Sequence, residues 1–311
     1  MKAILFPGQG SQVVGMGLNL YNKFNLVKEI FAEADEVLKF KISKIILEGP
    51  EEELKLTKNT QPAIMLLSYS IFSIIKEKFV FDYKDYRFFT GHSLGEYSSL
   101  VCSNALSFKD ALYLLHERGK AMQDAVPIGK GSMLAVLGCE LDEIRNYLDD
   151  LKESGVCQIA NDNAPGQIIV SGDILKINEF QKILRSKKKK AIPLPVSAPF
   201  HCDLMKPAAE KMRDKILSTK FKESSVPLIS NVTASEEKVE NIKKFLIDQI
   251  FSQVRWRESI INMCDKGVNE YIEIGPGKVL SGLIKRINKD VKSTSINSIE
   301  DIESIFNGIK K

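Results

Sequence analysis

The segment Gly91-His92-Ser93-Leu94-Gly95 has the pattern G-x-S-x-G. Such a pattern suits a serine held on a sharp turn between a strand and a helix, with glycines where side chains would clash. The start of that helix offers backbone N–H groups to an oxyanion. An ordinary strand-to-helix turn is the other reading of the same five residues. A serine hydroxyl needs a base to become a good nucleophile, and the chain has three histidines, His92, His116 and His201. His92 adjoins Ser93, and neighbouring side chains on such a turn diverge. His116 falls in a helical stretch, where a core role and a solvated role are equally open. His201 ends the turn-rich loop Val196-Ser197-Ala198-Pro199-Phe200, which makes it the candidate base. Arg118 lies 25 residues beyond Ser93. It reads either as a surface arginine on a charged helix or as a planar fork for a carboxylate, and periodicity does not choose between these. Gly8-Gln9-Gly10-Ser11-Gln12 lacks the lysine of a P-loop. As a glycine loop bearing glutamine, it can supply a backbone N–H to an oxyanion. Gly275-Pro276-Gly277-Lys278 reads as a tight strand-to-helix turn.

Positioning these residues requires alternating strands and helices, hence an α/β class. Lys2 to Phe6 reads as a strand entering the glycine loop, and Arg87 to Thr90 as the short strand before the elbow. Helical spacing runs through Leu26, Ile30, Ala34, Val37 and Leu38, then over Pro62 to Lys78, Leu94 to Cys102 and Phe108 to Gln123. The rhythm then changes. Strands are expected at Ser132–Leu137, Cys157–Ala160, Gln167–Val170 and Ala191–Leu194, with a turn over Asn161 to Gly166. Helix faces fall at Leu141, Ile144, Leu148 and Leu151, and at Ile174, Ile177, Phe180 and Leu184. The order β-α-β-β-α-β is that of a ferredoxin-like unit. Pro127-Ile128-Gly129 and Pro193-Leu194-Pro195 bound it. We therefore expect a small domain at 127–195, inserted into a larger α/β domain formed by 1–126 and 196–311.

The 311 residues are 44% hydrophobic and 27% charged, a globular composition. Basic residues exceed acidic ones by 44 to 40, a net +4 that is too mild for a dedicated nucleic-acid binder. The five cysteines are scattered with no C-x-x-C pair, so neither a disulfide framework nor a metal site is expected. The apolar stretch from Ile64 to Ile75 is interrupted by Ser68, Tyr69, Ser70 and Ser73 and falls short of a membrane span. The opening residues run straight into a strand without a basic and apolar leader, and a cytoplasmic protein is expected. Nothing in the pattern demands an oligomer, so the expectation is a monomer. Lys187 to Lys190 reads as a solvated face.

Seven segments, taken in order, resemble the malonyl-CoA:acyl carrier protein transacylases. They are Phe6-Pro-Gly-Gln-Gly-Ser-Gln12, Thr60-Gln-Pro-Ala63, Gly91-His-Ser-Leu-Gly-Glu-Tyr97, Arg118-Gly-Lys-Ala-Met-Gln123, Asn161-Asp-Asn-Ala-Pro-Gly-Gln167, Ala198-Pro-Phe-His201 and Gly275-Pro-Gly-Lys-Val279. The resemblance spans the chain and implies a large α/β-hydrolase-like domain with an inserted ferredoxin-like domain. It implies that Ser93 takes the malonyl group of malonyl-CoA as an ester. His201 would be the base and then the acid, oriented by the backbone carbonyl of Gln249. Arg118 would grip the free carboxylate, and the N–H groups of Gln9 and Leu94 would form the oxyanion hole. Phe200 resembles the residue of malonyl-selective members. Coenzyme A would be part of the substrate, with no separate cofactor, and holo-acyl carrier protein would be the acceptor. Carrier proteins of this kind are acidic, which makes Lys187 to Lys190 candidates for steering one. Three rivals share the elbow: an esterase using an acid between the serine and histidine, a non-catalytic carrier-binding scaffold, and a transacylase for another acyl group.

Overall fold

A computed structural model describes residues 1–151 and 155–306. In chain order the strands are β1 (Lys2–Phe6), β2 (Tyr86–Gly91), β3 (Gly131–Leu137), β4 (Cys157–Ala164), β5 (Gln167–Asp173), β6 (Lys190–Pro193), β7 (Leu228–Ile229), β8 (Glu236–Glu237), β9 (Glu270–Ile274) and β10 (Lys292–Ile296). They form a six-stranded sheet of order β10-β9-β1-β2-β7-β8 and a four-stranded sheet of order β4-β5-β3-β6. The fold is mixed α/β, as the alternating pattern requires.

In the larger sheet every pairing is parallel except β7 with β8. A parallel strand covered on both faces reads as a continuous apolar run, and β1 is one. Its Ile4 and Phe6 join one core with the helices Asn25–Leu38, Thr57–Lys78, Phe108–Asp124 and Lys206–Ser218. Its Ala3 and Leu5 join a second core with the helices Trp256–Asp265 and Val279–Ile287. Burying each large aliphatic or aromatic side chain contributes about 1.5–3 kcal/mol, so the central strands are firmly fixed. The residues that leave their C-terminal ends inherit that rigidity.

The smaller sheet is antiparallel throughout. Leu134, Val136, Ile168 and Val170 on one face pack against Ile144, Ile177, Phe180 and Leu184, from the helices Leu141–Asp149 and Ile174–Ser186. Met133, Ala135 and Ile169 alternate to the other face and join the main core.

Two local expectations are corrected. The turn expected at Asn161–Gly166 is confined to Pro165-Gly166, because β4 continues to Ala164. Asn, Asp and Asn are poor strand formers, but tertiary partners override that preference here. The Asp162 N–H donates to the Val254 carbonyl at 3.0 Å, the Val254 N–H donates to Ala160 at 2.8 Å, and Arg257 Nε lies 3.0 Å from Asp162 Oδ2. The second correction concerns Pro62, which sits inside a helix beginning at Thr57. Proline has no N–H to give the carbonyl four residues earlier, that of Lys58. His116 supplies the missing donor, its Nδ1 lying 3.0 Å from the Lys58 oxygen. His116 is thus neither a free surface histidine nor an apolar core filler.

Candidate active site

Ser93 stands immediately beyond β2, on a turn that leads into the helix Gly95–Cys102. Its φ is 52°, a left-handed conformation that costs a side-chain-bearing residue about 1–3 kcal/mol and concentrates at functional sites. The glycines make the turn possible. A Cβ on Gly91 would lie 2.0 Å from the Gly95 carbonyl, and one on Gly95 would lie 2.2 Å from the Phe6 oxygen. The Ser93 N–H is committed, donating to Asn231 Oδ1 at 2.7 Å. The N–H groups of Leu94 and Gln9, by contrast, have no partner among the described residues. Both residues line the same cavity as Ser93.

His201, also left-handed at φ 58°, lies 5% exposed at the end of the loop that follows the smaller sheet. Its Nε2 is 2.8 Å from Ser93 Oγ and its Nδ1 is 2.9 Å from the Gln249 carbonyl oxygen. Gln249 caps the helix Val239–Asp248, where the last carbonyls lack intrahelical donors and carry the negative end of the helix dipole. A carbonyl only accepts, so Nδ1 carries the proton and Nε2 is the bare acceptor of the serine hydroxyl. Burial first, and then the Arg118 cation, push the imidazole down to about 3. It is therefore neutral near pH 7. Among the described residues no carboxylate orients this histidine, unlike the arrangement expected of an esterase.

Arg118 is 1% exposed, which removes the surface reading. Its helix runs close against Thr57–Lys78 because Gly119 has no side chain: a Cβ there would lie 2.5 Å from the Thr57 oxygen. The guanidinium donates to Gln61 Oε1 and to Gln249 Oε1, each at 2.7 Å, and Nη2 also lies 3.2 Å from Ser93 Oγ. Burial lowers its pKa from the usual arginine value, while the nearby Tyr97 and Glu96 favour the charged form. Gln249 Nε2 in turn donates to Glu96 Oε2 at 2.6 Å and to the Ser93 carbonyl at 3.1 Å. Gln61, Glu96 and Asn231 were not singled out from the sequence as site residues, although the first two lie within quoted segments.

Ser93, His201, Arg118, Gln61, Gln9 and Leu94 line a cavity of about 500 Å³, with Phe200, Met133 and Ile169 among its apolar walls. Sequence reasoning set His92 aside as a base, and its Nε2 pairs instead with Asn163 Oδ1 at 2.8 Å. Lys187, Lys188 and Lys190 are exposed, whereas Lys189 pairs with Glu143 at 2.7 Å. A second cavity, of about 590 Å³, shares no residue with the first and has neither serine–histidine pair nor buried arginine. Among the described residues no group of three His, Cys, Asp or Glu is arranged to hold a metal ion, and no helix is long and apolar enough to cross a membrane.

A serine beside a neutral imidazole and a buried guanidinium can carry an acidic acyl group as an ester, which is the chemistry of an acyltransferase. The chain belongs to the acyl transferase domain family, whose model matches residues 4–303. It is 45% identical over 313 aligned residues to the malonyl CoA-acyl carrier protein transacylase of Bacillus subtilis (strain 168), covering 99% of this chain and 97% of that one. Among solved structures it is similar to an acyl-carrier-protein-S-malonyltransferase from Bartonella henselae, with a TM-score of 0.95, 42% identity and 98% of each chain covered. It is also similar to a malonyl-transacylase solved in complex with a type II PKS acyl-carrier protein, with a TM-score of 0.93 and 36% identity over 98% of this chain and 99% of that one.

Proposed function

We propose that this enzyme transfers the malonyl group of malonyl-CoA to the phosphopantetheine thiol of holo-acyl carrier protein through an ester on Ser93. It is an S-malonyltransferase of fatty-acid biosynthesis. One observation carries the serine route: Ser93 Oγ lies 2.8 Å from His201 Nε2 and 3.2 Å from Arg118 Nη2, so the hydroxyl meets a base and a cation together.

In the first half-reaction His201 Nε2 takes the hydroxyl proton as Oγ attacks the thioester carbonyl. The N–H groups of Gln9 and Leu94 hold the resulting oxyanion. Its collapse breaks the carbon–sulfur bond, and the imidazolium returns the proton to the coenzyme A sulfur. In the second half His201 takes the proton of the carrier thiol, sulfur attacks the ester, and Ser93 leaves with that proton. The Gln249 carbonyl stabilises the imidazolium in both halves, in the role a carboxylate plays elsewhere. Arg118 pairs with the free malonyl carboxylate, and Phe200 narrows the pocket around the acyl carbon.

The proposal needs no cofactor, because coenzyme A enters as part of the substrate. One cytoplasmic chain suffices, since every group named belongs to it. We assign 1–126 and 196–311 to an α/β-hydrolase-like domain and 127–195 to a ferredoxin-like insert. Helices on both faces of the larger sheet and the β4-β5-β3-β6 order of the smaller one support that division. Exposed Lys187, Lys188 and Lys190 are proposed to steer the acidic carrier.

The test supplies labelled malonyl-CoA with and without holo-acyl carrier protein. Label should move to the carrier thiol faster than it appears as free malonate. Release of malonate at one rate, carrier present or absent, would identify a hydrolase instead.

A further inference from the structure

Gln249 does two jobs with two different groups. Its backbone oxygen accepts from His201 Nδ1 at 2.9 Å, and its side-chain Oε1 accepts from Arg118 Nη2 at 2.7 Å. The second contact depends on which way round the amide lies. Turned over, it would present N–H donors to a guanidinium that also has only donors. Two acceptors of Gln249 Nε2 hold the orientation, Glu96 Oε2 at 2.6 Å and the Ser93 carbonyl oxygen at 3.1 Å, and Glu96 is the closer of the two.

We propose that Glu96 is a positioning residue for selection of an acidic acyl group: by accepting Gln249 Nε2–H it turns the amide oxygen toward Arg118 and so sets the guanidinium beside Ser93. This rests on the reading of Arg118 as the anchor of the malonyl carboxylate. Three observations support it. Glu96 stands in the first turn of the helix after the elbow, three residues from Ser93, so the acceptor moves with the nucleophile. The same Oε2 accepts the Asn231 N–H at 3.3 Å, and Asn231 Oδ1 accepts the Ser93 N–H at 2.7 Å, closing a second link to the elbow. The carboxyl is 2% exposed, and its Oε1 makes no hydrogen bond of ordinary geometry among the described residues, Ser230 being a weaker contact of the same carboxyl. A merely structural carboxyl buried in this way is a costly choice. Burial raises its pKa to about 7, and a proton on Oε1 leaves Oε2 free to accept as before.

The experiment offers equal malonyl-CoA and acetyl-CoA and reads the ratio of the two Ser93 esters by intact-protein mass spectrometry. Glu96→Ala should lower the malonyl-to-acetyl ratio about tenfold or more, the scale of a lost hydrogen bond to a charged group. Glu96→Gln keeps an acceptor oxygen and should stay within about threefold of wild type. Gln249→Met removes the amide but leaves the backbone carbonyl, so it should reproduce the Glu96→Ala ratio and reports even if Glu96→Ala does not fold. In an Arg118→Ala background, Glu96→Ala should change the ratio no further. An unchanged ratio in Glu96→Ala or Gln249→Met overturns the proposal, as does an additive effect in the double variant. Absence of any ester in the wild type overturns the underlying serine reading, and this inference with it.

Discussion

The two groups that flank Ser93 Oγ are treated alike by burial and end in different charge states, one neutral and one cationic. On one side His201, buried and beside a cation, is pushed down to about 3 and is neutral near pH 7. On the other side Arg118 is also lowered by burial, but a guanidinium starts so basic that it stays a cation. One desolvated pocket thus supplies a proton acceptor and a cation suited to a carboxylate, both within reach of a single hydroxyl. The difference lies in the intrinsic chemistry of the two side chains. Their partners match: neutral carbonyl oxygens on both, one of them backbone and two of them glutamine side chains.

Removing the base should break the pair at its reactive side. His201→Ala is expected to slow Ser93 acylation about 10³-fold or more with malonyl-CoA and acetyl-CoA alike, measured in a single turnover. Removing the anchor should act on one donor. Arg118→Ala is expected to cost malonyl-CoA about 10²-fold in kcat/KM, equivalent to about 3 kcal/mol for a buried charged hydrogen bond. Acetyl-CoA should lose far less, and equal losses with both donors would refute the anchoring role. Phe200→Ala is a smaller change. Opening that wall should improve use of a 2-methyl-branched donor by about 1–3 kcal/mol in a competition assay.

The pH profile sharpens the comparison through an effect that should be nearly absent. The folded-state pKa of His201, about 3, lies below its ordinary 6.5, so between those values the unfolded chain binds a proton that the folded chain refuses. Stability therefore falls as pH falls through that window, while the base itself stays neutral. Single-turnover acylation should hold nearly constant from about pH 7 to pH 5. A loss centred near pH 6.5 would show that His201 titrates as an ordinary histidine.

The reactive side was more legible in the sequence than the anchoring side. G-x-S-x-G announced the elbow, and with only three histidines in the chain His201 stood out by elimination. The sequence offers two readings of Arg118, yet its spacing carries a signal. It stands four and three residues after the buried Leu114 and Leu115 and four before the buried Met122, so it occupies the apolar stripe of its helix. Its partners could not be read in that way. Gln61, Gln249 and Glu96 meet it, or each other, across separations of 57, 131 and 153 residues. The same reason explains the misread turn, since Asn161 and Asp162 find their strand partners around Val254. Local chemistry announces a nucleophile, but a hydrogen-bond network assembled by tertiary packing leaves little local trace.

Intact-protein mass spectrometry after brief mixing with malonyl-CoA, on wild type and Ser93→Ala, tests whether the pocket works as a malonyl-serine station. The wild type should gain one malonyl group and lose it when holo-acyl carrier protein is added, while Ser93→Ala gains nothing. An adduct on Ser93→Ala, or a wild-type adduct that the carrier cannot discharge, would contradict that assignment.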